Sequence, residues 1–192
     1  MKRLLQFSAL TLLAVGVAGG DQTAPGQLRL LDLSGRSVNP LRAAKSRATV
    51  FLFIRSDCPI SNRYAPEVRR LYEEFAPRGV GFWLVYPDPK EAPAAIRQHL
   101  KEYEYPFGAL RDPSHSLVTL TGAKVTPEAA VFVDGGKMVY HGRIDDLYVD
   151  FGKARRAPTT HDLEQVLEAI LAGKPVHEAS APAVGCFISD LK

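Results

Sequence analysis

The most constraining feature of this sequence is an uninterrupted apolar run, Ala48 to Ile54 (ATVFLFI), that leads within a few residues into a helical pattern. The run is rich in β-branched and aromatic residues, which predicts a strand buried on both faces at the centre of a sheet. From Ile60 onward, apolar residues recur every three or four positions between charged ones, which predicts a helix. A second apolar run, Val80 to Tyr86, and another helical pattern follow. Strand, helix, strand, helix predicts a parallel βαβ core and therefore an α/β protein.

The remaining patterns predict smaller elements around this core. In chain order they are a short hairpin around Ser34-Gly35, an extended piece at 107–110, a brief helix near 114–120, an antiparallel hairpin around Gly135-Gly136, and a last helix capped by Thr160. The tail from 177 to 192 is rich in alanine and proline near its start and is predicted to be irregular, although it carries Cys186. A chain of 192 residues with this composition predicts one folded domain, which we place at 21–176.

The first twenty residues have the pattern of a secretory signal peptide. Lys2 and Arg3 precede an apolar run to about Ala18, and small residues then offer a cleavage site at Ala18 or Gly20. The alternative is an uncleaved anchor, but the run is shorter than the about 20 apolar residues that a membrane span needs. We therefore predict export to the periplasm or the outside of the cell, with no stable membrane span after cleavage.

Charge and cysteine count narrow the possible functions. The chain has 24 basic and 21 acidic residues, and removal of the leader leaves 22 against 21, so the charge does not indicate a nucleic-acid partner. Export implies an oxidising compartment, yet Cys58 and Cys186 are the only cysteines, so a scaffold held by many disulfides is excluded. Two cysteines indicate either a reactive thiol site or a single disulfide bridge.

Cys58 lies between the first core strand and the first core helix, in the stretch RSDCPISN (55–62). A helix N-terminus presents unpaired N–H groups and a partial positive charge, and both lower the pKa of a nearby thiol. Pro59 suits the first turn of a helix because no hydrogen bond is lost there. A reactive thiolate is therefore expected at Cys58, with a buried structural cysteine as the alternative.

Four segments together make the chain resemble the thioredoxin-like superfamily: LLDLSGRSV, FLFIRSDCPIS, YPFGALRD and VTPEAAVFVDGGKMVYHG. The branches that it resembles are the exported redoxins of the AhpC/TSA type and the thiol-disulfide oxidoreductases of the TlpA/ResA type. The resemblance implies a three-layer α/β fold, with a central mixed sheet and flanking helices. It also implies a cis proline at Pro127 beside Cys58, with the backbone of Thr126 available to pair with an extended substrate.

The chain departs from these families at the reactive site. The second cysteine of a Cys-x-x-Cys pair is replaced by Ser61, which can donate a hydrogen bond to a thiolate but cannot close a disulfide. Arg55 and Phe51 stand where peroxiredoxins carry a threonine and a proline, which weakens a peroxidase interpretation. Leu52 and Tyr64 occupy the two places where related branches keep an acidic residue beneath the cysteine.

The resemblance and the departures lead to one main hypothesis. Cys58 is the nucleophile that attacks a disulfide or a peroxide, and Cys186 or an external thiol resolves the product. Cys186 could instead be a free or intermolecular thiol, or half of a purely structural link. An external thiol or disulfide protein is the expected electron partner, and no organic cofactor is implied.

Two rival interpretations remain open. One is a copper carrier similar to the Sco type, in which Cys58, His141 and Cys186 would bind Cu(I), since soft sulfur ligands favour that ion. The other is a redox-inert interaction module built on the same fold, because fold by itself does not determine function.

Overall fold

The computed structural model describes residues 28, 30–43, 46–134, 136–176 and 181–188. Its centre is the strand β3 (Ala48–Phe53), which is buried along its whole length. Val50 and Leu52 face one hydrophobic cluster, whereas Phe51 and Phe53 face the other. The prediction of a central strand buried on both faces is therefore confirmed.

The main sheet has seven strands. They are β1 (Leu30–Leu31), β2 (Ser37–Val38), β3, β4 (Val80–Tyr86), β5 (Ala109–Arg111), β7 (Glu128–Val133) and β8 (Lys137–Gly142), in the spatial order β2-β1-β5-β4-β3-β7-β8. Strands β3, β4 and β5 run parallel, as the βαβ pattern predicted, and the other neighbours are antiparallel. The sheet is thus mixed, with β3 hydrogen-bonded on both sides.

Four short strands lie outside this sheet and form two separate pairs. They are β6 (Val125–Thr126), β9 (Tyr148–Asp150), β10 (Lys153–Ala154) and β11 (Cys186–Phe187). Strand β9 pairs with β10, and β11 pairs with β6. The pairing of β6 with β11 brings the end of the described chain back to the residues just before Pro127.

Helices cover both faces of the main sheet. They are α1 (Pro40–Ala43), α2 (Pro59–Phe75), α3 (Pro93–Glu102), α4 (Ser116–Thr121) and α5 (Asp162–Leu171). Apolar residues of α2, α3 and α5 join the cluster on one face, and those of α1 and α4 join the cluster on the other. This arrangement gives the three layers that the resemblance implied.

Several element boundaries differ slightly from the sequence predictions. The extended piece expected at 107–110 is the strand β5, two residues further along, because its carbonyl and amide groups pair with those of β4. The brief helix begins at Ser116 and ends before Gly122, whose φ of 72° suits glycine. Helix α5 is preceded by His161, and Thr160 instead binds the side chains of Arg143 and Asp162.

The predicted irregular tail is partly ordered. Cys186 and Phe187 pair with β6, Ala181 accepts a hydrogen bond from the Arg143 N–H just after β8, and Ile188 is buried in the same cluster as Phe51. The tail is not irregular at Cys186, because that residue belongs to β11 and pairs with Thr126. The predicted signal peptide, 1–20, and Gly135 of the predicted hairpin turn lie outside the described residues.

Asp112 holds the start of helix α4 against the sheet. This carboxylate is fully buried and accepts hydrogen bonds from the backbone N–H groups of Ser116, Leu117 and Val118, and from the Ser116 hydroxyl. These N–H groups belong to the first turn of α4 and have no partner within the helix. Asp112 therefore replaces several hydrogen bonds that the backbone would otherwise lack.

Replacing Asp112 with alanine should lower the free energy of unfolding by about 2–3 kcal/mol, because several buried N–H donors lose their acceptor. Urea unfolding of the reduced protein, followed by circular dichroism, measures the change. Asp150→Ala is the matched control, since the Asp150 carboxylate is exposed and accepts from one backbone N–H. Equal losses in the two variants would show that Asp112 does not have this role.

Candidate functional site

Cys58 occupies the junction between β3 and α2. It is the N-cap residue of α2, with extended backbone angles, and the helix begins at Pro59. The backbone N–H of Ser61 donates a hydrogen bond to Cys58 Sγ at 3.4 Å. The sulfur therefore lies where the unpaired N–H groups and the positive end of the helix dipole favour a thiolate. Cys58 is only 1% exposed.

The structure brings Cys186 directly to Cys58. The two Sγ atoms are 2.7 Å apart, and both residues are free thiols, although 128 positions separate them in the sequence. Cys186 is partly exposed, whereas Cys58 is buried behind it. A resolving cysteine must reach the nucleophile in this way, so the structure gives Cys186 the geometry that the main hypothesis requires.

The loop around Pro127 forms the third side of the site. The peptide bond between Thr126 and Pro127 is cis, as the resemblance implied. The carbonyl oxygen of Thr126 lies 3.1 Å from Cys58 Sγ and accepts a hydrogen bond from that thiol when it is protonated. Cys58, Cys186 and Thr126 thus meet in one place, with Ser61 below them on α2.

The tail is fixed at both ends of its described segment. The Ile188 N–H donates to Lys124 O at 2.9 Å, and the Arg143 N–H donates to Ala181 O at 3.1 Å. Between these points Cys186 pairs with Thr126. The backbone of Thr126 was predicted to pair with an extended substrate, and in this structure the chain's own tail occupies that edge.

The two thiols differ in how readily they ionise. Burial acts to raise the pKa of Cys58, but hydrogen bonds from Cys186 and Ser61 outweigh it, so the pKa of Cys58 lies below its usual value. Burial and the neighbouring Cys58 sulfur raise the pKa of Cys186 to about 12. Cys58 is therefore the thiol that ionises first, while Cys186 keeps its proton and donates it in a hydrogen bond.

Ser61 lies beside the Cys58 sulfur at the first turn of α2. Its N–H makes the hydrogen bond to Cys58, because the N–H of the third helical residue points back at the capping atom, whereas its buried hydroxyl has no hydrogen-bond partner within 3.5 Å (4.0 Å for sulfur) in the described part of the chain. The Ser61 side chain also acts to lower the pKa of Cys58. The expectation that the hydroxyl donates to a thiolate stays a prediction.

Sequence reasoning missed an acidic side chain close to Pro127. Glu128 is buried, its Oε2 accepts from the backbone N–H groups of Lys124 and Val125, and its Oε1 contacts His141 Nδ1 at 3.1 Å. The signal that could have revealed it is a glutamate at the start of an otherwise apolar strand, directly after the proline. Its carboxylate holds the backbone just before Thr126 in place.

The structure does not gather the copper ligands of the rival interpretation. His141 contacts Glu128, and Cys58 contacts Cys186. Among the described residues, the group of possible metal-ligating atoms within 4.8 Å of one another comprises Glu67, Asp145 and His161. Two of these side chains already have partners, since Glu67 pairs with Arg70 and Asp145 accepts from the Tyr64 hydroxyl.

Comparison with known proteins agrees with this site. The family model described as AhpC/TSA matches residues 21–141, which include the β3–α2 junction and the Thr126-Pro127 bond. The chain belongs to the AhpC/TSA family. A search of the curated proteins finds no match.

Solved structures of similar fold place this AhpC/TSA protein among thioredoxin-like folds. A hypothetical protein from Sinorhizobium meliloti 1021 is 27% identical with a TM-score of 0.72, covering 84% of this chain and 89% of its own. An uncharacterized conserved protein from Geobacillus kaustophilus is 30% identical with a TM-score of 0.71, and the alignment covers 83% of this chain and 86% of that protein. A secreted disulfide oxidoreductase from Mycobacterium tuberculosis is 16% identical with a TM-score of 0.52, and the alignment covers 78% of this chain and 97% of that protein. The predicted superfamily and fold class are confirmed.

None of the helices in the described part of this AhpC/TSA protein combines the length and the apolar character that a membrane crossing needs.

The hydrogen bond from Cys186 predicts a measurable difference between two variants. Cys186→Ala removes the donor and should raise the pKa of Cys58, whereas Cys186→Ser keeps a hydroxyl donor and should raise it less. The rate of Cys58 alkylation by iodoacetamide, measured against pH by mass spectrometry, gives both values. The rate should fall as the pH drops through the pKa of Cys58, because only the thiolate reacts. A higher pKa in the serine variant than in the alanine variant would contradict the assignment.

Proposed function

We propose that this protein is a thiol redox protein in which Cys58 is the nucleophile and Cys186 is the resolving cysteine. The observation that carries the proposal is the 2.7 Å separation of the two sulfurs, with Cys186 held on a strand that pairs with Thr126. Family membership and the fold support thiol redox chemistry, and the difference in pKa between the thiols supports the order of the two steps.

The proposed cycle begins with a disulfide in an external protein. The Cys58 thiolate attacks one sulfur of that disulfide, forms a mixed disulfide, and releases the second sulfur as a thiolate that takes up a proton. Cys186 then loses its proton and attacks Cys58 Sγ, which releases the first partner sulfur as a thiol. The partner disulfide gains two electrons from the sulfurs of Cys58 and Cys186, one proton from Cys186 and one proton from solvent, and Cys58 and Cys186 end as a disulfide.

The same residues could also act on a peroxide. Attack of the Cys58 thiolate on the peroxide would give a sulfenic acid and an alcohol or water, and condensation with the Cys186 thiol would give the disulfide and a second water. We favour the disulfide reaction because Cys58 is buried beneath a paired backbone strand, which suits a peptide ligand.

Other residues of the site have supporting roles in this proposal. Pro127 and Thr126 shape the surface on which the partner lies, and the Ser61 N–H stabilises the Cys58 thiolate. An external thiol protein would reduce the Cys58–Cys186 disulfide and restore the starting state. A redox-inert module would show none of this chemistry, and copper binding by Cys58, His141 and Cys186 would require His141 to leave Glu128.

We expect three proteins to behave differently with dithiobis(nitrobenzoate) as the disulfide substrate. The reduced wild type should reduce this disulfide and end with a Cys58–Cys186 disulfide, whereas Cys58→Ser should not form that product. Cys186→Ser should stop as a mixed disulfide between Cys58 and thionitrobenzoate, because no resolving thiol remains. Mass spectrometry of non-reduced digests identifies each product.

The two serine variants control for each other, since each removes one sulfur from the same contact. A parallel reaction with hydrogen peroxide tests the alternative substrate. Formation of a sulfenic acid at Cys58 that condenses with Cys186 to a disulfide, with no reaction toward dithiobis(nitrobenzoate), would favour the peroxide reaction. A Cys58 thiol that reacts with neither reagent would favour the redox-inert module.

We also propose that the protein is exported and that residues 1–20 are removed. One similar structure is a secreted disulfide oxidoreductase and another is an exposed lipoprotein thioredoxin of Streptococcus pneumoniae, which is consistent with export of this chain. N-terminal sequencing of the protein from its native host should give a first residue just after Ala18 or Gly20. Recovery of the chain with Lys2 and Arg3 still attached would contradict cleavage.

A further inference from the structure

Strand β6 has an edge that the tail covers. It is not part of the seven-stranded sheet, and its described strand partner is β11. The contacts are those of an added antiparallel strand: Cys186 pairs with Thr126, Phe187 pairs with Val125, and the Thr126 hydroxyl donates to Cys186 O at 3.4 Å. An extended peptide bound to an open strand edge makes the same kind of contact. The tail therefore shows how a cysteine-containing segment fits against Cys58.

The position before the cysteine is sterically restricted. Gly185 packs so closely on the Thr126-Pro127 peptide that a Cβ there would overlap Thr126 O, and would lie 2.6 Å from Thr126 C and 3.2 Å from Pro127 N. These are backbone atoms of the site itself, so they cannot move aside as a flexible side chain could. A segment that enters this groove with its cysteine next to Cys58 must therefore carry glycine immediately before that cysteine.

The two positions after the cysteine differ from each other. Phe187 is 79% exposed, so this position can accept almost any side chain. Ile188 is 5% exposed and packs in the cluster that contains Phe51 and Leu117. Burial at this position favours an apolar residue. The groove, which we define by Cys58, Val125, Thr126 and Pro127, therefore fits the pattern Gly-Cys-x-apolar.

We propose that this groove recognises extended protein segments of the pattern Gly-Cys-x-apolar, and that residues 185–188 are its resident occupant. The external redox partner enters as the same strand after the tail leaves, so tail and partner compete for Thr126. This inference rests on the proposed function, because it specifies the partner of the same cysteine. Partners with a bulky residue before the cysteine are excluded by the backbone of the site.

The test uses two full-length proteins and three activated peptides. The proteins are Cys186→Ser, in which the tail can still occupy the groove, and Gly185→Val/Cys186→Ser, in which the tail should be excluded. The peptides have the sequence of residues 181–188, the same with valine for Gly185, and the same with alanine for Phe187. Each peptide cysteine carries a thionitrobenzoate group, so attack by the Cys58 thiolate gives a Cys58–peptide disulfide and releases the coloured thiolate.

With Gly185→Val/Cys186→Ser, the glycine peptide should react at least about tenfold faster than the valine peptide, because overpacking against backbone is costly. The alanine-for-phenylalanine peptide should react as fast as the glycine peptide, since that position is exposed. The glycine peptide should also react about tenfold more slowly with Cys186→Ser, whose tail competes. Equal rates for the glycine and valine peptides would overturn the proposal.

Two further measurements separate this inference from the proposed function. Dithiobis(nitrobenzoate) needs no groove, so failure of Cys58 to react with it would count against the redox function alone. Fluorescence anisotropy of labelled peptides that carry serine for the cysteine then tests the groove without any redox step, and glycine should again bind more tightly than valine. Circular dichroism checks the fold of the valine variant, and Gly185→Ala, with one added carbon, replaces it if that variant does not fold.

Discussion

Strand β3 is the element on which the site depends. It is hydrogen-bonded on both sides, to β4 and β7, and its side chains alternate between the two hydrophobic clusters. Hydrogen bonds along both edges and packing on both faces hold the strand in place, so the position of its C-terminal end is well defined. Cys58 follows this end and caps α2, and Glu128 of the neighbouring β7 pairs with Phe53. Cys58 and the Pro127 loop are therefore positioned by the same part of the sheet.

The electrostatics of the site follow from this placement. Burial alone would keep the Cys58 thiol protonated, yet the N–H of Ser61 and the thiol of Cys186 supply hydrogen bonds that favour the thiolate. Burial and the neighbouring Cys58 sulfur have the opposite effect and raise the pKa of Cys186, in part because two neighbouring negative charges repel each other. Burial and this contact together favour the thiolate at Cys58 over the thiolate at Cys186.

In the proposed cycle, the tail links resolution of the product by Cys186 to access by a partner. A strand that delivers Cys186 to Cys58 also covers the edge of β6, so both functions use the same backbone contacts. Burial of Ile188 and the hydrogen bond from Arg143 to Ala181 hold the tail on either side of Cys186. The close approach at Gly185 is possible because glycine has no Cβ. In the proposed cycle the partner takes over the contacts that the tail makes with β6.

The sequence by itself determined the α/β class, the central strand and the position of Cys58 at a helix start, because these depend on local periodicity and capping. The Thr126-Pro127 pair was identified by the resemblance to a known superfamily. Only the tertiary structure decided that Cys186 lies on Cys58, that the Ser61 N–H donates to the sulfur, and that Glu128 supports the loop. A two-residue strand such as β11 has almost no periodicity to detect. Its pairing depends on the burial of Ile188 and the missing side chain of Gly185, which are properties of a contact between distant parts of the chain.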